Sequence, residues 1–183
     1  MTMLIKTASN TNDIKIIEQL ANIIWNEHFT AIIGKAQVDY MLHKFQSRES
    51  IAEQIKQGFL YFLMQKDHKY IGYMGILANE DELLLSKLYI LCSARQKGYG
   101  KKALSFIEQL AIKKGINKIT LTVNKYNTST INIYEKSGFE NINSVVKDIG
   151  NGFVMDDYIM VKKLKSTGMI CYSEPSPAQF KQR

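Results

Sequence analysis

A strand, a helix and a second strand follow one another between residues 82 and 123, and this succession constrains the fold more than any other feature. Glu82–Leu91 is apolar and rich in branched residues, Gly98–Lys114 carries an apolar face at helical spacing, and Lys118–Val123 alternates with β-branched residues. A helix between two strands is a crossover, which would place the strands parallel. The sequence therefore predicts an α/β fold with a parallel pair in its sheet.

The flanking segments predict antiparallel strands and further helices. The predicted helices are Asn12–Phe29, Lys35–Phe45, Ser50–Gln57 and Thr128–Lys136. The predicted strands beyond the central pair are Phe59–Gln65, Tyr70–Ala78, Ile142–Asp148 and Phe153–Leu164. The first two would form a meander with Glu82–Leu91, and a Gly-Asn-Gly turn at residues 150–152 would join the last two as a hairpin. The prediction is an α/β (α+β) fold with a mixed sheet of about six or seven strands and flanking helices.

Length and composition favour one globular domain. The chain has 183 residues, which suits a single core, and both of its prolines lie after residue 164. We therefore expect a domain over residues 1–164 and a flexible tail over residues 165–183. No apolar run reaches the roughly 20 residues that span a bilayer, and Met1–Asn10 lacks the features of a secretion signal. A cytoplasmic protein without membrane contact is expected, with Cys92 and Cys171 as free thiols.

Charge and histidine spacing favour an anionic small ligand over a metal or a nucleic acid. The net charge is +7, but the basic residues are scattered and no basic run is interleaved with aromatic residues. His28, His43 and His68 show no zinc-ligand spacing, so each is expected on the surface or on a helix face. The prediction is therefore no metal and no nucleic acid partner.

The loop between the first central strand and the helix has the composition of a phosphate site. Gly98 and Gly100 at a helix start allow backbone N–H groups to approach an anion, and the helix dipole adds positive potential. A Walker A loop would need glycine at Arg95 and serine or threonine at Lys102. A dinucleotide fingerprint would need its glycines directly after the strand and an acidic residue about 20 positions later. Neither requirement is met.

A third pattern, Arg/Gln-x-x-Gly-x-Gly/Ala, is matched by residues 95–100. Downstream, Asn127, Tyr134, Gly138 and Phe139 stand in the register of a second block, in which Thr130 replaces the usual alanine. In these two blocks, and in the order of elements over residues 14–164, the chain resembles the GNAT acetyltransferase superfamily. Residues 88–90 and 156–160 are further similar to PaiA-type spermidine/spermine acetyltransferases.

The resemblance implies acetyl-CoA as cosubstrate and direct attack by an amine in a ternary complex. Acetyl-CoA would lie where two central parallel strands splay apart. Backbone groups of one strand end would pair with the pantetheine, the following loop and helix start would hold the pyrophosphate, and one asparagine would also contact coenzyme A. The implied cofactor-binding residues are Tyr89, Ile90, Leu91, Arg95, Gln96, Lys97, Gly98, Tyr99, Gly100, Lys101 and Asn127.

Transfer to an amine needs a base for the acceptor and an acid for the departing thiolate. Tyr134 occupies the position of the family's acid. Ser86 stands where such relatives often have a glutamate, so the base remains open among four acids and water. The candidate acids are Glu27, Glu80, Glu82 and Asp157.

Several alternatives remain open from the sequence. Asn127 could cap the helix that follows it as well as contact coenzyme A. Trp25, Phe29 and Tyr40 could wall an acceptor pocket or pack in the core. The main expectation is a small-molecule amine acceptor, polyamine-like acceptors included. The alternatives are a protein or peptide acetyltransferase and a non-catalytic acyl-CoA sensor, which Ser86 motivates. The resemblance also suggests a homodimer that pairs through sheet edges.

Overall fold

A computed structural model of the chain describes residues 3–164, and a seven-stranded mixed sheet forms its centre. The strands are β1 Leu4–Thr7, β2 Leu60–Lys66, β3 Lys69–Ala78, β4 Leu83–Ile90, β5 Lys118–Asn124, β6 Glu140–Gly150 and β7 Phe153–Lys163. Their order across the sheet is β1-β2-β3-β4-β5-β7-β6. Every neighbouring pair is antiparallel except β4 and β5, which are parallel. The predicted fold class is confirmed.

Helices cover both faces of the sheet. They are α1 Thr11–His28, α2 Thr30–Ile33, α3 Lys35–Gln46, α4 Arg48–Lys56, α5 Tyr99–Lys113 and α6 Thr128–Lys136. The predicted crossover β4–α5–β5 is present, and the face of α5 that carries Ala103, Ile107 and Ala111 is fully buried in one core. Burying an isoleucine or leucine side chain contributes about 1.5–3 kcal/mol to folding, which fixes α5 against the sheet.

The opposite face of the sheet is covered by α1, α3 and α4. Ile17, Ile24, Val38 and Ile51 from these helices are almost completely buried, and they pack in one cluster with Tyr73 of β3. The periodic apolar residues of the N-terminal helices therefore build a second core. The two cores lie on the two faces of one sheet, so a space that passes through the sheet would join both sides of the molecule.

Such a space exists between β4 and β5. The two strands pair at only two positions, Leu83 with Ile119 and Leu84 with Thr120, and then diverge. Beyond this point β5 continues to pair with β7, as far as Asn124. The gap therefore widens toward the carboxyl ends of the two parallel strands, as the family resemblance implied.

A β-bulge in β4 reverses which side chains face which core. Gly75 pairs with Lys87 and Ile76 with Leu85, so Ser86 is the extra residue. Before the bulge Leu85 faces the α5 side; after it Leu88 faces that side. Lys87 and Tyr89 consequently face the α1–α4 side, where Tyr89 packs in the second core and Lys87 lies over Phe59 and Tyr61.

Two short elements were not expected. β1 pairs with β2 at the edge of the sheet, although Leu4 is 63% exposed and the strand shows little alternation. The single turn α2 continues almost directly from α1, where the sequence predicted one helix to Phe29. β1 forms because it pairs with a strand about 60 residues away. The local β propensity of the segment does not indicate such a partner.

The expected flexible tail over residues 165–183 lies outside the described residues. Within residues 3–164, no helix combines the length and apolar character needed to cross a membrane.

Candidate active site

A cavity of about 690 Å³ occupies the gap between β4 and β5. Its lining comes from both faces of the sheet: β4, the loop after it, α5 and α6 on one side, and α1, α3, α4, β6 and β7 on the other. Among the predicted site residues, the cavity is lined by Tyr89, Ile90, Arg95, Gly100, Asn127, Tyr134 and Asp157. The structure thus brings residues far apart in sequence to one space.

The loop between β4 and α5 presents a row of free amides. Gln96 and Gly98 have φ of 60° and 77°, which turns the chain into the helix. Within residues 3–164, no hydrogen-bond acceptor is found for the backbone N–H groups of residues 96–101. The first N–H groups of a helix have no intrahelical partner, and such a cluster is an anion-binding site. Lys97 and Lys101 are exposed beside it.

The end of β4 has both occupied and unoccupied backbone groups. The amide of Leu91 donates to Ile71 O at 2.9 Å, and its carbonyl accepts from Ala94 N at 2.9 Å. The Leu91 amide is therefore occupied while its carbonyl can accept one more hydrogen bond, and its role in cofactor binding stays a prediction. Because amides alternate sides along a strand, the N–H groups of Leu88 and Ile90 point toward the gap.

Arg95 lies in the cavity wall and holds a polar cluster together. Its Nε donates to Ile90 O at 3.0 Å, and its Nη1 lies 3.0 Å from His28 Nδ1. His28 Nε2 lies 3.3 Å from Asn127 Oδ1. Burial, and then the charge of Arg95, lower the pKa of His28, so the imidazole is neutral near pH 7. The cluster links β4, α1 and α6 across the gap.

The cluster bears on two expectations. His28, expected on the surface or on a helix face, is the last residue of α1; it is half-buried and lines the cavity. Asn127 stands at the N-cap position of α6, but its side chain makes no capping hydrogen bond and turns to His28 instead. Asn127 is 5% exposed, so its amide oxygen needs a partner within the protein.

Tyr134 lies on α6 with its ring buried and packed edge-on against Phe139, at 5.5 Å between ring centroids. Its hydroxyl has no hydrogen-bond partner among residues 3–164, and the residue lines the cavity. Burial raises the pKa of Tyr134 well above its usual value, which keeps the phenol protonated. The residue therefore holds a proton next to the gap.

Of the four candidate acids, only Asp157 lines the cavity. Glu27 is exposed on α1, and Glu80 is exposed in the turn before β4. Glu82 accepts a hydrogen bond from Thr120 Oγ1 at 2.7 Å and pairs with Lys118 at 3.2 Å, at the closed end of the gap. These contacts lower its pKa and occupy its carboxylate.

Asp157 is 6% exposed on β7, opposite Asn124 of β5. Burial, and then the charge of Asp156, raise its pKa to about 6, and Lys125 opposes this rise. Lys125 itself pairs with Asp156 at 2.5 Å. The Asp157 carboxylate is therefore roughly nine-tenths ionised at pH 7 and has a pKa suited to accepting a proton.

Three aromatic side chains, Tyr89, Trp25 and Phe29, form a cluster where the gap meets the N-terminal helices. Tyr89 packs edge-on against Trp25 at 5.5 Å and against Phe29 at 6.0 Å between ring centroids. Trp25 and Phe29 are buried in the second core and also line the cavity, so the two roles considered for them are compatible. Tyr40 does not line it; its hydroxyl donates to Ile149 O at 2.5 Å.

Sequence reasoning missed Lys87. It is 6% exposed, lines the cavity and donates from Nζ to Gln54 Oε1 at 2.6 Å. Burial lowers its pKa to about 8. The sequence signal that could have revealed it was a lysine inside the apolar strand Leu83–Ile90. A lysine in a strand is ordinarily interpreted as facing solvent.

The comparisons with known proteins agree with this geometry. The model of the acetyltransferase (GNAT) family matches residues 17–139. The chain is 27% identical over 161 residues to a spermidine N(1)-acetyltransferase of Thermoplasma acidophilum, covering 84% of this chain and 93% of the relative.

Among solved structures, a PaiA N-acetyltransferase from Thermoplasma acidophilum in complex with coenzyme A is similar. It superposes with a TM-score of 0.75 at 24% identity, covering 89% of this chain and 99% of the other. A GCN5-related N-acetyltransferase from Rhodopseudomonas palustris gives a TM-score of 0.75 at 15% identity, with 90% and 97% covered. At these identities the superpositions establish the fold. The family model matches more than half of the chain, so the chain belongs to the GNAT acetyltransferase family and is an N-acetyltransferase.

Proposed function

We propose that the protein transfers an acetyl group from acetyl-CoA to a primary amine of a small molecule, by direct attack in a ternary complex. The observation that carries this proposal is the continuous cavity through the sheet. It extends from Gly100, in the segment with free amides after β4, past Tyr134 and Asp157 to a pocket covered by α1, α3 and α4.

The α5 side fits the phosphate-bearing cosubstrate. The amides of residues 96–101 and the exposed side chains of Lys97 and Lys101 would bind the pyrophosphate. The gap-facing amides of Leu88 and Ile90 would pair with the amide groups of the pantetheine, as an added strand does. The thioester would then reach the middle of the gap, where Tyr134 and Asp157 lie.

Asp157 would act as the base. An alkylammonium with a pKa of about 10.4 is only roughly 0.04% neutral at pH 7, which costs about 4.6 kcal/mol. Desolvation in the cavity lowers the pKa of the ammonium, and the Asp157 carboxylate accepts the proton that is released. The neutral amine then attacks the carbonyl carbon, so that the new N–C bond forms as the C–S bond breaks, and the second proton that the nitrogen loses balances the proton that the departing thiolate takes up.

Tyr134 would assist the departing sulfur. Its pKa lies above that of a free thiol, near 8.5, so the phenol is a weak acid before the C–S bond breaks. Its main contribution would be a hydrogen bond that strengthens as negative charge develops on sulfur, followed by transfer of the proton. Within residues 3–164 the hydroxyl has no other partner that would compete for this role.

The helix cover favours a small acceptor over a peptide. Residues of α1, α3 and α4 close the acceptor side of the cavity, and Trp25 and Phe29 form its wall. A polypeptide substrate would need an open groove along the sheet. The relative described as a spermidine N(1)-acetyltransferase also supports a small amine. A domain over residues 1–164, a cytoplasmic location and a homodimer stay predictions.

The test is thiol release from acetyl-CoA with a panel of amines, amino acids and short peptides, with calorimetric titration of acetyl-CoA alongside. We expect micromolar cofactor binding and turnover with small amines. Cofactor binding without turnover on any amine would support the sensor alternative, and turnover on peptides alone would support the peptide acetyltransferase. Absence of cofactor binding would reject the proposal.

A further inference from the structure

We propose that the acceptor amine carries an anionic oxygen group, such as a carboxylate, which binds to Lys87 while the amine reaches Asp157. This inference rests on the proposed transferase function and names its class of acceptor. It starts from the charges and hydrogen-bond donors on the α1–α4 side of the cavity.

Lys87 is a buried cation without an anionic partner. The ion pairs among residues 3–164 do not include it, although its side chain is almost completely withdrawn from solvent. The ammonium lies over the rings of Phe59 and Tyr61, at 5.4 and 5.3 Å from their centroids. A buried charge is costly unless it is paired, so this lysine is poised for an anion from outside the chain.

The hydrogen bonds around Lys87 leave room for a ligand. Gln54 Oε1 accepts from Lys87 Nζ at 2.6 Å and from Tyr61 Oη at 2.8 Å, and Gln54 Nε2 donates to Phe45 O at 3.1 Å. Gln54 is therefore fixed and holds the ammonium in place. An ammonium has three N–H groups, and only one is used within residues 3–164.

A second donor lies in the same wall. Gln46 is 3% exposed, and its Oε1 accepts from Tyr73 Oη at 3.1 Å. Its Nε2 makes no hydrogen bond within residues 3–164, and the residue lines the cavity. A carboxylate has two acceptor oxygens, which suits an ammonium and an amide that face one pocket.

The balance of charge opposes a polycation. Among the residues of 3–164 that line the cavity, Asp157 is the only carboxylate, whereas Lys87, Arg95 and Lys147 are cationic. A polyamine would meet one acidic group, which the reaction itself needs, and a buried cation beyond it. An amine with a carboxylate instead matches both charges. The pKa of Lys87, about 8 because of burial, leaves the group mostly protonated at pH 7.

The experiment measures kcat/KM for amines of matched length that differ in charge. The series comprises 4-aminobutyrate, its methyl ester, 1,4-diaminobutane and spermidine, and a second set comprises α-amino acids with their methyl esters. We expect the carboxylates to be preferred by about 10- to 100-fold, the range of a charge-assisted hydrogen bond in a buried site. A preference for diamines or spermidine would overturn the inference.

Variants then assign the preference to Lys87. Lys87→Met keeps the length and apolar stem of the side chain, and it should remove the 10- to 100-fold preference while leaving acetyl-CoA affinity unchanged. Lys56→Met, at an exposed position of α4, is the matched control and should change neither. If Lys87→Met lowers kcat/KM equally for carboxylates and esters, the lysine is only structural and the inference fails. If no amine is acetylated by the wild type, the proposed function itself fails.

Discussion

The two sides of the cavity are built in different ways. The α5 side consists of consecutive residues, from Leu88 to Lys101, and its binding groups are backbone amides. The α1–α4 side is assembled from side chains of many separate elements, and Lys87 is fixed by Gln54, which lies 33 positions away. The first side would recognise a cosubstrate through geometry common to its family, and the second would select an acceptor through its particular side chains.

This difference predicts that substitutions will separate the two functions. Changes on the α1–α4 side should alter turnover and acceptor choice at constant acetyl-CoA affinity. Changes in the loop after β4 should alter cofactor affinity and leave the choice of acceptor intact.

The largest effect is expected for Asp157→Asn, which keeps the shape of the side chain and removes the base. We expect kcat/KM to fall by about 10²- to 10⁴-fold, the usual contribution of general base catalysis, with unchanged acetyl-CoA affinity by calorimetry. Asp156→Asn is the matched control, because Asp156 pairs with Lys125 and does not line the cavity. Equal losses in both variants would contradict the assignment of Asp157.

Tyr134→Phe removes only the hydroxyl and retains the packing against Phe139. Loss of one donor to developing charge should lower kcat by roughly 100-fold, with KM for the acceptor nearly constant. The control is Tyr126→Phe, since Tyr126 is 71% exposed. Unchanged single-turnover acetyl transfer in Tyr134→Phe would remove this residue from the mechanism.

Gly98→Ala tests the α5 side. Gly98 has φ of 77°, and no atom of residues 3–164 lies within 4 Å of the point that an added β-carbon would occupy, so alanine would be strained by its backbone rather than by contacts with these residues. We expect the strained loop to relax to another conformation in the free variant, so that the original conformation must be restored when acetyl-CoA binds. This should weaken acetyl-CoA affinity by about 5- to 30-fold, corresponding to about 1–2 kcal/mol. Gly115→Ala carries the same strain, with φ of 75°, at the far end of α5. Its acetyl-CoA affinity should not change.

The pH dependence should report Asp157. The raised pKa of about 6 means that the active carboxylate is present above pH 6 and is lost as the pH falls through this value. We expect kcat/KM at pH 5 to lie about tenfold below the value that a fully ionised Asp157 would give. Ionisation of the acceptor affects wild type and Asp157→Asn alike, so the ratio of the two profiles isolates the carboxyl group. A ratio that is constant between pH 5 and 7 would contradict the prediction.

Much of the fold could be predicted because its signals are local. The apolar face of α5 and the β-branched residues of β5 lie within single elements, and the bounds of α6 were predicted to the residue. β1 could not be predicted, since its stability comes from pairing with β2. Residues 95–100 were recognisable because they match a known family pattern at every fixed position, and the φ of 77° at Gly98 is one that favours glycine.

The acceptor side was much less accessible from the sequence. His28 becomes part of the cavity wall through Arg95, which lies 67 positions later. Asp157 differs from the other candidate acids chiefly in its burial, which the sequence around it does not encode. Regular alternation would place Lys87 on the same face as Leu85; the bulge at Ser86 turns it to the α1–α4 side, and the local sequence does not mark that bulge.

The same bulge determines how the pocket would respond to a change in β4. Side chains alternate strictly along a regular strand, and Leu85 and Lys87 lie on opposite faces with Ser86 as the extra residue between them. Loss of Ser86 would therefore restore regular pairing with β3 and leave Lys87 and Tyr89 on the acceptor side. A β4 that kept Ser86 but paired without the bulge would instead turn Lys87 and Tyr89 into the core beneath α5 and bring Leu88 and Ile90 to the acceptor side. The charge of the pocket thus depends on the bulge wherever this extra residue is present.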